Sequence, residues 1–407
     1  MNKVIKKSSV IRFVKYIILF LLIYCSFESL LFGTNILPSF QVAMTGIYVI
    51  LELGILLLIF VIQEKISFDK NTALMSAILI GLIFLTQIYS YVTGYSFFSP
   101  QYFYNVLLVI IACTMTKLYS RQAFEEIFVN IMYWLSIAGI GIYVINILGV
   151  SLPHIVLVNK ANLLFHYYLV SAQLLGDYII PRLYGIFREP GVLGVYLSLA
   201  VFFELFSTKK ISLLKISVFI TASLLTFSTS GYITVGLLAL AYLLSAKNNL
   251  QKFLLILLTT IVLCFCLTDQ VNQFVFGKFY TVNSSLNSRI YSLYGGFVLS
   301  IQGFFLGHGW DYIINNFTRF IDRTYYITDT SFTNTYLRMA CTYGWIFTSV
   351  VLVYTLKFLK RHSCSVLQFI FITLAWFVMF SNENFLLNII VYVVLFLREE
   401  KYESFAN

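Results

Sequence analysis

The feature that most constrains this chain is a succession of apolar segments, each of which comes near the length of a membrane-spanning helix. A spanning helix needs about 20 apolar residues, because each residue advances the helix by about 1.5 Å and the hydrocarbon core is about 30 Å thick. The segments lie near residues 14–32, 42–62, 73–91, 103–118, 127–148, 190–207, 211–228, 231–246, 252–268, 334–356, 366–380 and 384–397. The sequence therefore predicts an all-α, polytopic membrane protein with about 12 transmembrane helices.

The composition supports the same class. Of 407 residues, 60% are hydrophobic and 11% are charged, against about 45 to 50% apolar residues in a soluble domain. The first apolar segment has no cleavage motif of small residues after it, so we expect a retained helix and not a signal peptide. A net charge of +10 fits basic cytoplasmic loops better than nucleic-acid binding. The six cysteines lack metal-ligand spacing, and we expect neither a metal nor another cofactor.

The basic residues orient the predicted helices. Lys and Arg in short loops stay on the cytoplasmic side of a membrane. Five of them, from Lys3 to Lys15, precede the first segment, and every second short connection after it is basic. The connections near residues 33–41, 92–102, 229–230 and 381–383 contain no Lys or Arg. Both termini are therefore expected in the cytoplasm.

Two long connections, residues 149–189 and 269–333, interrupt the single membrane domain predicted for residues 1–407, and both are expected on the outer face. Loops of this length are uncommon unless they carry function. Each contains an apolar segment, LLFHYYLVSAQLLG in the first and residues 288–305 in the second, that we expect to form a helix in the membrane interface. They also hold basic residues that the orientation rule would place inside: Lys160, Arg182, Arg188, Lys278, Arg289, Arg319 and Arg323.

The segment RLYGIFREPGVLG places Arg182, Arg188 and Glu189 directly before an apolar helix. Pro190 suits the first position of a helix, and a carboxylate before it faces the positive end of the helix dipole. Guanidinium groups bind phosphate in a bidentate manner, so the two arginines indicate a site for an anionic substrate. The alternative is that they reach lipid headgroups. Glu189 is either a general base or the ion-pair partner of Arg188.

The second loop contributes Arg289, at the start of a helix-like segment, and the turn LGHGW around His308. A histidine changes charge near neutral pH, so His308 is a candidate acid or base. The alternative, which we favour, is a tight glycine turn followed by an interfacial tryptophan.

The segment TDTSFTNTYLRMACTYGW places Asp329 and Asn334 before a late helix and Arg338 in its first turns. Asn334 and Arg338 are four residues apart and therefore share a helix face. An arginine in a spanning helix is costly and indicates a functional site with an anionic partner. Candidate partners are Asp329, Glu189, Glu52 and Glu28; a purely structural ion pair is the alternative. The short outer turn SNEN adds Glu383 to the same face.

The motifs RLYGIFREPGVLG, FSTSG, SRIYSLYGG, LGHGW and DTSFTNTYLRMACTYGW occur in this order between residues 182 and 345. In order and spacing they resemble the O-antigen polymerase and ligase superfamily of bacterial surface-polysaccharide assembly, and the topology resembles it over the whole chain. The resemblance implies a multi-pass glycosyltransferase of the bacterial cytoplasmic membrane. Such enzymes act at the outer face on undecaprenyl-pyrophosphate-linked oligosaccharides, without a nucleotide sugar or an obligatory metal.

The resemblance also implies roles for individual residues. It makes Arg182, Arg188 and Arg289 the expected pyrophosphate or glycan contacts and Glu189 a candidate acid or base. From their own positions in the sequence, Arg338 and Asn334 are added as candidate substrate contacts, and Asp329 and His308 as candidate acids or bases. The ligase branch tends to have a histidine before the asparagine of the late motif, where this chain has Thr333, so polymerisation of repeat units is the expected activity. A ligase and a transporter or flippase of lipid-linked sugars are the alternatives. Expected partners are the lipid-linked donor and acceptor, membrane lipids, a flippase and a chain-length regulator.

Overall fold

The structure, a computed structural model, describes the chain in eleven stretches. They are residues 2–29, 40–62, 68–95, 99–150, 152–159, 162–167, 171–175, 182–206, 211–244, 285–317 and 332–397. The predicted apolar segment 252–268 and Asp329 lie outside them.

Helices account for most of the described residues. They are α1 Asn2–Tyr24, α2 Phe40–Ile62, α3 Lys70–Val92, α4 Pro100–Leu118, α5 Arg121–Ile147, α6 Pro190–Phe206, α7 Leu213–Leu225, α8 Thr229–Leu243, α9 Ser285–Gln302, α10 Trp310–Asn316, α11 Thr335–Arg361, α12 Val366–Asn382 and α13 Ile389–Phe396. Within the described residues, α3, α4, α5 and α11 are long and apolar enough to cross a membrane. The described chain is thus largely helical and compatible with a helical membrane protein, whereas the total of about twelve spans stays a prediction.

The helix predicted over residues 384–397 is wrong in its extent, because residues 384–388 are not helical. Helix α13 has 8 residues, which corresponds to a length of about 12 Å. It begins only at residue 389, where the side chain of Asn388 caps the amide of Ile390 at 3.0 Å. All eight residues of α13 are buried, and the helix packs mainly on α4. It is therefore a core element with no lipid-facing side.

Helix α6 is also almost completely buried. All of its residues except Glu204 and Phe206 are buried, and it contacts α5, α7, α8 and α12. Helix α8 crosses it closely, because a β-carbon on Gly194 would lie 3.8 Å from the α-carbon of Gly231. Small residues permit such an approach between membrane helices. The crossing brings the sequence motifs that contain the two glycines into contact.

Helix α11 is broken at Gly344, which has φ 83° and ψ 170°. A β-carbon there would overlap the carbonyl of Phe305, so the break needs a glycine. The backbone groups that it releases bond to the turn between α9 and α10. The amide of Trp345 donates to the Phe304 carbonyl at 2.7 Å, and the amide of His308 donates to the Cys341 carbonyl at 2.8 Å. Arg338 consequently lies in a short section of α11 that precedes the break.

The helix expected in the first long loop is also wrong, because the segment forms an antiparallel sheet. Strands β1 Ile155–Asn159, β2 Asn162–Tyr167 and β3 Ser171–Leu175 pair in the order β1-β2-β3. Ile155 faces His166, and Leu163 faces Leu175. Branched and aromatic residues favour strands, and only two residues separate β1 from β2, as in a hairpin. Helix α9 does form in the second loop, while its place in the membrane interface stays a prediction.

Several of the basic residues assigned to the cytoplasmic side lie around the first turns of α5. Arg12 lies 3.2 Å from Glu126, and the amine of Lys215 donates to Asn130 at 2.8 Å. His362 bonds to Glu125 at 2.8 Å, and its ring lies 5.0 Å from that of Phe202, near the carboxyl end of α6. The amino end of α6 therefore points away from this basic end of the molecule.

Candidate functional site

The candidate site is built around the amino end of α6, where Pro190 is the first helical residue. The amide of Arg188 donates to the carbonyl of Glu28 at 2.9 Å, and Phe187 forms a β-bridge with Ser29. The end of α1 thus fixes the backbone just before α6. The guanidinium of Arg188 lies 3.9 Å from the carboxylate of Glu189, and these side chains are 27% and 32% exposed.

Three carboxylates determine the charge state of Arg188. Burial lowers the pKa of this guanidinium, but the charges of Glu189, Glu383 and Glu28 raise it by more. The pKa of Arg188 is therefore above its ordinary value. Because opposite charges favour the charged form, Arg188 is a permanent cation at the amino end of α6.

Glu28 and Glu383 are the buried members of this group, at 2% and 4% exposure. The side chain of Asn388 donates to the Glu28 carboxylate at 2.8 Å and also bonds to the Tyr196 hydroxyl at 2.8 Å. The Glu383 carboxylate lies where a β-carbon of Gly191 would be. It therefore faces the first turn of α6, whose dipole favours a negative charge. From the sequence, Glu28 and Glu383 are expected only as acids near Arg338. A role for either residue at the start of α6 is not predicted.

Arg338 reaches the same region from α11. Its guanidinium lies 4.8 Å from the centroid of the Trp310 ring, which is the geometry of a cation–π contact. Its buried Nε has no hydrogen-bond partner among the described residues. The charge of Arg188 also acts on it unfavourably. None of the predicted acidic partners that the structure describes forms an ion pair with Arg338. This arginine is therefore held by an aromatic face and repelled by a second cation.

Arg289 and Asn334 meet the same turn, SNEN, that connects α12 to α13. Arg289 donates to the side chain of Asn382 at 3.0 Å, and Asn334 donates to the hydroxyl of Ser381 at 3.1 Å. The Asn334 side chain also caps α11 through the amide of Leu337 at 2.8 Å. The structure thus gathers five of the eight predicted site residues around the α6 entrance, the SNEN turn and the first section of α11: Arg188, Glu189, Arg289, Asn334 and Arg338.

Arg182 has a different local role. Its Nε donates to the carbonyl of Thr226 at 2.9 Å, and its Nη2 donates to that of Phe227 at 3.3 Å. These carbonyls follow the last turn of α7, where a cation is favoured by the helix dipole. Phe227 has φ 49°, so the chain reverses sharply after α7. Arg182 therefore stabilises the turn that leads to α8.

His308 lies at the junction of α9, α10 and α11. Its Nε2 bonds to the carbonyl of Leu299 at 3.1 Å, and its ring stacks on Tyr312 with 4.8 Å between centroids. Burial lowers the pKa of His308, opposed by the hydrogen bond to Leu299. The ring is therefore neutral at pH 7, with Nε2 as the donor. Its contacts fit the glycine turn that was the alternative to an acid or base role. Asp329, the remaining predicted acid, lies outside the described residues.

Two further findings complete the description of the site. Among the described residues, no group of three or more His, Cys, Asp or Glu side chains is placed to hold a metal ion. Comparison of the chain with protein-family models, with curated proteins and with solved structures finds no match.

Proposed function

We propose that this protein is a membrane glycosyltransferase that polymerises undecaprenyl-pyrophosphate-linked oligosaccharide repeat units at the outer face of the bacterial cytoplasmic membrane. The observation that carries the proposal is the placement of Arg338 on Trp310, at the same end of the bundle as Arg188 and within reach of its repelling charge. Within the described residues, Arg338 keeps a buried Nε without a hydrogen-bond partner. Bringing two guanidinium groups together is costly unless an anion lies between them. A pyrophosphate has the charge and the oxygens for both.

The distribution of the remaining charge supports an outer-face site. Arg12, Lys215 and Arg361 lie at the basic end, around the start of α5 and the end of α13. Because basic ends of membrane helices face the cytoplasm, the opposite end with Arg188 faces outward. Lipid-linked repeat units are polymerised there.

In the proposed reaction, the bond between the anomeric carbon of the growing glycan and its lipid pyrophosphate breaks. A hydroxyl oxygen at the non-reducing end of the incoming unit forms the new glycosidic bond. Arg188 and Arg338 stabilise the negative charge that develops on the departing pyrophosphate, which is where preorganised cations lower the barrier most. Glu189, the most exposed of the three carboxylates around Arg188, accepts the proton of the acceptor hydroxyl. Asp329 is the alternative base.

Arg289 and Asn334 have supporting roles in this proposal. Both are held by the SNEN turn, through Asn382 and Ser381. Their remaining hydrogen-bonding groups would meet glycan or phosphate oxygens beside the arginine pair.

The test is the glycan profile of a deletion strain, analysed by gel electrophoresis and mass spectrometry beside the parent strain. Single repeat units on the surface anchor are the expected result for a polymerase. Long lipid-linked polymer would identify a ligase instead, and lipid-linked units retained on the cytoplasmic side would identify a flippase. Either of the last two outcomes would refute the proposal.

A further inference from the structure

Gly191 has a specific structural requirement that involves one other residue. It is the second residue of α6, and its φ lies outside the left-handed region that would itself demand glycine. The three atoms nearest to a β-carbon built on Gly191 all belong to the side chain of Glu383, beginning with Oε1. Alanine would thus suit the helix at this position. The space for its methyl group, however, is occupied by the Glu383 carboxylate.

The backbone of Glu383 is fixed from the opposite side by α11. The hydroxyl of Thr335 donates to the Glu383 carbonyl at 2.7 Å and accepts from the amide of Phe385 at 2.9 Å. Glu383 is 4% exposed, so its carboxylate cannot move into solvent without opening this turn. It is therefore held against the positive end of α6, within the electrostatic reach of Arg188.

Glu189 raises the pKa of Arg188 more than Glu383 does, but it is the less fixed of the two carboxylates. Its carboxylate is 3.9 Å from the Arg188 guanidinium, and its side chain is 32% exposed. An exposed pair at that distance contributes little to holding a side chain in one position. The Glu383 carboxylate, buried on a fixed turn, acts on the guanidinium from one position.

We infer that Glu383 is the positioning residue for Arg188: seated on the first turn of α6 at Gly191, it holds the guanidinium in the orientation that receives the pyrophosphate. The part of this inference that names the pyrophosphate rests on the proposed function. The glycine of the REPG motif is then explained by a residue almost two hundred positions further along the chain. Gly191 and Glu383 form one unit, so disturbing either should have the same effect on Arg188.

The experiment measures how fast phenylglyoxal modifies Arg188 in membrane vesicles, with peptide mass spectrometry as the readout. This reagent reacts slowly with a guanidinium that carboxylates hold, and it requires no enzymatic activity. In Glu383→Gln and in Gly191→Ala we expect the modification rate of Arg188 to rise about tenfold. The double variant should show no further increase, because both changes act through the same carboxylate.

Two matched variants serve as controls. Gly236→Ala makes the same change in α8, where a β-carbon meets nothing within 4 Å, and should leave Arg188 unchanged. Glu126→Gln makes the same change in the pair with Arg12 and should alter the reactivity of Arg12 alone. An unchanged Arg188 in Gly191→Ala, or effects that multiply in the double variant, would overturn the inference.

A kinetic measurement separates this inference from the proposed function. With purified protein and lipid-linked repeat units, Gly191→Ala should raise KM about tenfold, because a misplaced binding group weakens substrate capture. If the parent protein forms no polymer but labelling of Arg188 responds, the proposed function fails and the positioning role stands. If polymer forms and Arg188 labelling does not respond, the positioning role fails and the function stands.

Discussion

The two ends of the helical bundle both contain buried charge, but they use it differently. At the basic end, Glu125 of α5 lies between His362, at 2.8 Å, and Arg121, at 3.7 Å. The second ring nitrogen of His362 bonds to the carbonyl of Phe358 at 3.0 Å. The three side chains are no more than 10% exposed. This group joins α5 to the end of α11 and is named the inner cluster after the orientation proposed above.

At the opposite end, carboxylates surround Arg188 while Arg338 rests on Trp310 without an acid of its own among the described residues. Both ends carry the desolvation cost of buried charge. The inner cluster offsets that cost with internal contacts, which is the behaviour of a structural ion network. The outer group offsets it incompletely, which is the behaviour expected of a binding site whose remaining partner is a ligand.

The largest expected effect is on stability, at the inner cluster. Glu125→Ala leaves His362 and Arg121 buried without their shared carboxylate, so we expect the free energy of unfolding to fall by about 3 to 5 kcal/mol. The activity of the remaining folded protein should be close to that of the parent. Thermal unfolding in detergent, with the activity per folded molecule, tests both statements. Loss of specific activity at an unchanged melting temperature would contradict the structural role of the inner cluster and indicate a role in activity instead.

The next effect is on activity, at the outer end. Arg188→Lys keeps the charge but loses the bidentate guanidinium, so we expect kcat/KM for polymerisation to fall about 100-fold with little change in melting temperature. The matched control is Arg361→Lys, because Arg361 donates to the Leu397 carbonyl at the basic end. Gel analysis of polymer length and initial rates with lipid-linked units provide the measurement. Normal polymer in Arg188→Lys would exclude a binding role for this residue.

Much of the helical framework could be predicted from the sequence, because apolar length and capping residues are local. The proline at residue 190, the carboxylate before it and the apolar segment after it predict a helix start there, and α6 begins at this residue. The segments predicted at residues 42–62 and 73–91 match α2 and α3 within three residues at each end. None of these predictions needed knowledge of which helices are neighbours.

The arrangement of the site could not be predicted in the same way, because it depends on contacts between distant parts of the chain. Glu28 and Asn388 are 360 positions apart and bond directly. Hydrophobicity at residues 384–397 predicts a continuous helix, whereas the helix covers only residues 389–396 and is enclosed by protein. Arg182 resembles a substrate contact in sequence, yet it donates to the carbonyls of Thr226 and Phe227 at the end of α7. Segments that are buried by protein and segments that are buried by lipid have the same apolar composition, so the sequence alone does not distinguish them.

The effect predicted for Arg182 is of intermediate size. It distinguishes an arginine with a structural role from the arginines proposed to bind substrate. Arg182→Ala removes a charged donor from the carbonyls of Thr226 and Phe227, and we expect a loss of about 2 kcal/mol in the free energy of unfolding. Activity should fall only in proportion to the folded fraction. Urea titration, together with the rate per folded molecule, measures this. If Arg182→Ala is as stable as the parent protein but makes no polymer, Arg182 is a substrate contact and not only a structural residue.

Arg338 provides the prediction with the opposite sign. Arg338→Leu removes a half-buried cation that repels Arg188 and loses the contact with Trp310. Because desolvated unpaired charge costs more than a cation–π contact returns, we expect stability to rise by about 1 kcal/mol while polymerisation is lost. The comparison is with the destabilised Glu125→Ala at the inner cluster. A fall in melting temperature for Arg338→Leu would show that the outer group is structurally complete as well.

The smallest effect concerns pH and the buried histidine of the outer half. Burial lowers the pKa of His308, so near pH 6 the unfolded chain binds more protons than the folded protein does. Stability is then present above the ordinary pKa of about 6.5 and is lost as the pH falls below it. His308→Gln keeps a donor for the Leu299 carbonyl and removes the titration. Melting temperatures between pH 5 and pH 7 should therefore fall less steeply in this variant than in the parent. If melting temperature depends on pH equally in His308→Gln and in the parent, His308 is not a neutral structural residue. An acid or base role would then be the better interpretation.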